Sequence, residues 1–104
     1  MPEMTEAERV WEAWFEAYAR LRDGHDAPCP DGDGGRLHLT YYGRPGSRIG
    51  SVTVWCDLGR NGIFLDRVGI PETVVPLPFD ATPEQRASAI PEIRLIPTAM
   101  YSPD

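Results

Sequence analysis

Cys29 and Cys56 are the only cysteines in this 104-residue chain, and each opens a glycine-rich turn: "CPDG" over 29–32 and "CDLG" over 56–59. A metal-binding knuckle would carry Cys-x-x-Cys at these places, yet the fourth residue is Gly32 in one turn and Gly59 in the other. A closed structural zinc site takes four donors, so two thiolates alone do not hold one. Two thiols alone therefore predict no metal and no cofactor. Imidazoles at His25 and His38 would complete a four-donor set with the two thiols. His38, however, alternates with Leu37 and Leu39 and so faces away from their side of a strand. Asp31-Gly32-Asp33 echoes the start of a calcium loop, but the twelfth position is Tyr42 where a bidentate Glu is required.

Covalent catalysis finds little in the pattern. The chain has no Gly-x-Ser-x-Gly elbow, no His-Glu-x-x-His and no Gly-x-Gly-x-x-Gly, and all ten basic residues are arginine, which removes lysine chemistry. Ser47 or Ser51 with His38 and Asp57 would make a triad only if the fold brought them together. Nothing close to Cys56 in sequence would depress its thiol pKa. The expectation is a protein that is not an enzyme.

Charge points to binding. The net charge is −6, and residues 1–35 carry nine acids against Arg9, Arg20 and Arg22, while residues 36–104 carry seven acids and seven arginines. Glu8, Glu12, Glu16, Asp23, Asp26, Asp31 and Asp33 are thus the candidate surface for a basic protein partner, whose capture complementary charge would speed. The alternative is a nucleic-acid face built from Arg36, Arg44, Arg48, Arg60 and Arg67, with Tyr41, Tyr42 or Trp55 to stack on bases. The acidic balance of the whole chain opposes it. No apolar run approaches the ~18–20 residues that span a bilayer, and the acidic N-terminus lacks the basic and apolar regions of a signal peptide. A cytoplasmic protein with reduced thiols is expected.

The elements that must position these residues are legible in outline. Thr5-Glu6-Ala7-Glu8 is a capping box, and Ala7, Trp11, Trp14, Tyr18 and Leu21 recur at 4, 3, 4, 3, which predicts an amphipathic helix over 5–23, with Val10 and Phe15 widening its apolar stripe. Glycine, proline and aspartate make 24–35 a loop. The period then becomes two: Leu37, Leu39 and Tyr41, then Val52, Val54 and Cys56, then Ile63 to Val68, giving an antiparallel β-meander over 36–68 with "GRPGSR" and "DLGRNG" as turns. Pro76 and Pro78 restrict "VVPLPF" to an edge or wrapping segment. Thr82-Pro83-Glu84-Gln85 starts a short helix near 83–90, and Ile93, Leu95 and Ile96 suit a last short strand. The expected fold is a single α+β domain over 1–104, with a Pro-rich wrapping segment over 71–104.

The two turns together carry a resemblance. "CPDG" and, about 26 residues on, "WCDLGRNGI" resemble a zinc-ribbon segment of small bacterial proteins with the pattern Cys-Pro-x-Cys-Gly … Trp-Cys-x-x-Cys-x-x-Gly-Ile, some of them similar to immunity proteins found beside polymorphic toxins. The likeness spans residues 28–70 and extends to the tail "IPEIRLIP". It implies a ribbon whose metal has been lost with the second cysteine of each knuckle, whose cysteines still lie together, and whose helix supplies replacement core through Trp11, Trp14 and Phe15. It also implies a toxin-immunity inhibitor, with a basic toxin or nuclease as partner. That both cysteines are ordinary small buried residues is the competing reading.

Overall fold

The Thr5 hydroxyl accepts from Glu8 N, and the Glu8 carboxylate accepts in return from Thr5 N, so two donors at the start of a helix are satisfied at once. Helix α1 runs Glu6–Arg22. The computed structural model describes residues 5–96, and in it α1 buries Trp11, Trp14, Ala17 and Tyr18 against a sheet. Ala7 is exposed, and Val10 and Phe15 remain 37% and 41% exposed rather than widening the buried stripe. Ala7 and Val10 precede the buried run, which starts at Trp11, and Phe15 lies at the rim of the apolar arc. Phe15 covers one ring face by stacking on Trp11, at 5.5 Å between centroids.

The meander forms with β1 at Leu37–Tyr42, β2 at Ile49–Cys56 and β3 at Asn61–Gly69, all antiparallel. β3 begins two residues earlier than the apolar pattern suggests, because Gly62 pairs opposite Trp55. Tyr41, Val52 and Leu65 share one row across the strands, and Leu39, Val54 and Ile63 the next. These rows, with Cys56, meet Trp11, Trp14 and Tyr18 in one core cluster. The opposite face of β2 is buried too. There Ser51, Thr53 and Trp55 are buried: His38 stacks on Trp55 in its own row at 4.5 Å, Trp55 Nε1 donates diagonally to Thr40 Oγ1 at 2.9 Å, and Ser51 Oγ donates to Asp66 Oδ1 at 2.7 Å.

The Pro-rich segment wraps as its composition requires. Leu77 runs parallel to β1, accepting from Gly43 N and donating to Tyr41 O. Thr82 and Gln85 form a second reciprocal capping box that opens α2, Pro83–Ala89, whose residues are all partly or fully exposed. The chain then reaches the far side of the sheet, where β4, Arg94–Leu95, pairs parallel to Asn61 and Gly62. The result is a four-stranded sheet in the order β1-β2-β3-β4. It is mixed rather than purely antiparallel, since a strand that returns after a long crossover can enter in the same direction as its neighbour. The fold is α+β. Part of the wrapping segment, residues 97–104, lies outside the described residues.

Candidate functional site

The loop between α1 and β1 is pinned at both ends. Pro28 and Arg36 form an isolated bridge, Arg36 O accepts from Asp57 N at 3.0 Å, and the Asp57 carboxylate accepts from Arg36 N at 2.9 Å. The loop base is thereby tied to the end of β2, which carries Cys56. Within the loop, Gly32 N donates to Cys29 O and Gly32 adopts φ +71, a left-handed turn that glycine reaches without a steric cost. Asp33 then bends inward. Its Oδ1 accepts from Gly35 N at 2.8 Å, and Cys56 Sγ lies 3.3 Å from Oδ1 and 3.5 Å from Oδ2.

The outcome is a compact group of three donors from the two turns. Cys29 Sγ, Cys56 Sγ and a carboxylate oxygen of Asp33 all lie within 4.8 Å of one another. Both cysteines are buried and free, with Cys56 wholly enclosed. Burial, and then the hydrogen bond with Cys56, push the Cys29 thiol up to about 12. The Gly35 N–H holds the Asp33 carboxyl below its ordinary value, helped by the thiols of Cys29 and Cys56. An uncharged Cys29 thiol beside an ionised Asp33 carboxylate is therefore the resting state.

Two glycines exist to make room for it. A Cβ on Gly35 would stand 2.5 Å from Cys56 Sγ and 2.8 Å from Leu58 Cβ. A Cβ on Gly59 would stand 2.5 Å from Asp33 Oδ2 and 2.9 Å from Asn61 Oδ1. Gly59 is the fourth residue of the second turn, and Asp33 Oδ2 lies where a side chain at that position would have to go. Neither the spacing of the cysteines nor the acidic count points to Asp33 in this role, because the contact depends on a loop closing against a strand end 23 residues away. The one local hint is the Gly34-Gly35 pair that lets the chain fold back.

The other candidates disperse. His38 pairs with Asp57 at 3.0 Å and stacks on Trp55, on the opposite sheet face from Cys56, and His25 is exposed beyond α1, so no four-donor histidine set assembles among the described residues. Ser51 Oγ is committed to Asp66 and Ser47 Oγ to Ile49 O, so the His38–Asp57 pair has neither serine beside it. Asp31 accepts from Asn61 Nδ2 while Asp33 faces Cys56, so the two carboxylates of the calcium-like pair take different partners.

Comparisons with protein-family models, curated proteins and solved structures found no match.

Of the acidic set, Glu12, Glu16, Asp23 and Asp26 are exposed, as is Asp31 despite its bond to Asn61. Glu8 is engaged in the capping box, Asp23 accepts from Arg22 at 3.3 Å, and Asp33 is turned inward. The arginines split. Arg36 and Arg60 flank the Cys56 end of the sheet, whereas Arg44, Arg48 and Arg67 lie toward the other end, with Arg48 paired to Glu72 at 2.9 Å. The outer face also presents Asp57, beside His38, and Asp66, beside Ser51. No helix among the described residues is long and apolar enough to cross a membrane.

A pH dependence follows from the loop's anchor. The Asp57 carboxyl lies below its ordinary 3.8, chiefly through His38 and then the Arg36 N–H. A carboxyl with a depressed folded pKa stabilises above its unfolded value, and that contribution is lost as pH falls through the folded one. Asp57→Asn should therefore lower the melting temperature at neutral pH, and its deficit relative to the parent should close below about pH 3.8. A deficit independent of pH would show that geometry, not charge, matters there.

Proposed function

We propose that the protein acts by binding a basic protein partner through α1 and the following loop, as an inhibitor of the toxin-immunity type. One observation carries this reading: Phe15 stays 41% exposed at the edge of the row formed by Glu12 and Glu16. On helical geometry Phe15 lies ~60° from Glu12 and ~100° from Glu16 around α1. An exposed aromatic ring beside acidic side chains suits an interface in which the ring anchors and the charges steer. Stacking on Trp11 from within holds the ring ready, which lowers the ordering cost of binding. The nucleic-acid alternative is less well supported, because the arginines sit at two ends of a face that also carries Asp57 and Asp66.

The test is an association measurement with the product of the gene adjoining this one, the partner that an immunity role requires. Glu12→Arg with Glu16→Arg should slow association ~10-fold or more at low salt, with the effect shrinking at ~1 M salt where the Debye length is ~3 Å. Stability should change little, since exposed charges contribute only ~0–1 kcal/mol each. Phe15→Ala should instead speed dissociation. Unchanged rates in both variants would refute this surface, and absence of any complex would refute the immunity reading itself.

A further inference from the structure

We propose that Cys29, Asp33 and Cys56 form a binding site for one thiophilic divalent cation of the zinc class, with a fourth coordination position left for a non-protein donor. The expectation of no metal counted thiolates alone, and the fold adds a carboxylate to them. In a tetrahedral zinc site, bonds of ~2.3 Å to sulfur and ~2.0 Å to oxygen put neighbouring donors ~3.5 Å apart for S···O and ~3.8 Å for S···S. Cys56 Sγ lies 3.3 and 3.5 Å from the two Asp33 oxygens, and all three donors fall within 4.8 Å. The group is already near the dimensions a cation would impose.

Three further features point the same way. Gly59 N donates toward Cys56 Sγ at 3.5 Å, an arrangement that supports negative charge on that sulfur. Asp33 Oδ1 is held by Gly35 N, which fixes the carboxylate while leaving Oδ2 toward the space beside Gly59. The buried Oδ1 of Asn61 has no hydrogen-bond partner among the described residues and borders that same space. A cation-bound water there would donate to Asn61 Oδ1 and fill the fourth position. On binding, the divalent cation displaces one proton from each thiol and bonds to two thiolates and the Asp33 carboxylate, and both protons leave to solvent. Soft sulfur donors favour zinc over calcium or magnesium. The open position separates this site from a closed four-thiolate one.

Cobalt(II) titration of the full chain, reduced and stripped of metal, tests the inference. One equivalent should produce thiolate-to-cobalt charge-transfer absorption, and one equivalent of zinc should abolish it. Asp33→Asn, close in shape and on a partly exposed loop residue, should weaken cobalt binding at least ~10–100-fold, the range for loss of even an outer-shell partner. Cys56→Ser should remove the charge-transfer band, with circular dichroism checking that the buried substitution still folds. Asp80→Asn, at an exposed carboxylate outside the group, should leave binding unchanged. Absence of charge-transfer absorption at stoichiometric cobalt would overturn the site, and so would cobalt binding that Asp33→Asn does not weaken.

Discussion

Replacing Trp14 with alanine should lower the melting temperature by more than ~12 °C. Trp14 is completely buried where α1 meets the sheet, within the cluster that holds Val52, Val54, Ile63 and Leu65. Removing a buried tryptophan costs ~3–5 kcal/mol through lost transfer energy and the cavity left behind. For a chain near 100 residues each kcal/mol shifts the midpoint ~4–8 °C, and total stability is only ~5–15 kcal/mol. Trp14→Phe should fall between the two, because it keeps much of the ring volume and removes an Nε1–H that has no acceptor among the described residues. Phe15→Ala is the comparison: its ring is 41% exposed, so its loss should cost much less. Thermal unfolding followed by near-ultraviolet circular dichroism decides, and a Trp14→Ala midpoint within ~4 °C of the parent would show that the helix is not the main support of this core.

Gly62→Ala should be nearly as damaging for a different reason. A Cβ there would stand 1.9 Å from Val54 O and 2.8 Å from Trp55 Cα, both backbone atoms of β2, so no rotamer change relieves it. β2 and β3 must separate locally, at or above the ~1–3 kcal/mol usual for overpacking. Gly62 O also accepts from Ile96 N at 2.7 Å, so β4 should loosen with it. Gly69→Ala is the control, because a Cβ there meets nothing within 4 Å. It should be neutral or slightly stabilising, by up to ~1 kcal/mol, through a less flexible unfolded chain. Equal denaturant midpoints for the two variants would refute the steric account, and amide exchange at β4 should quicken in Gly62→Ala alone.

What the sequence reveals and conceals follows the range of each interaction. Both capping boxes are written in four consecutive residues, so α1 and α2 are legible at their starts. The meander is legible because alternation in β1 and β2 marks which side is buried, although Ser51, Thr53 and Trp55 show that the polar side of a central strand is also enclosed. Helical periodicity reveals the direction of the buried face but not how far along and around the helix the packing extends, hence the exposure of Val10 and Phe15. That the two cysteines come together is implied only by the likeness of their turns to ribbon knuckles, not by their spacing; their Sγ atoms lie within 4.8 Å of one another. Asp33 as their companion is hidden, because one cannot see from spacing that a loop will fold back over a strand end. The same limit hides the parallel pairing of Leu77 and of Arg94–Leu95, each decided by a long crossover.

The route of the C-terminal segment has a consequence for self-association. A free sheet border offers unpaired amides and carbonyls on which another chain can grow, the usual seed of fibrils. Here Leu77 occupies part of the outer side of β1, and β4 occupies the start of β3. The remaining stretch of β3 carries Asp66 and Arg67, and Arg67 adopts φ 56, which breaks the regular ladder an incoming strand would need. The tail thus covers part of each border and Arg67 interrupts the rest of β3, which disfavours fibril growth and recognition by strand addition along those stretches.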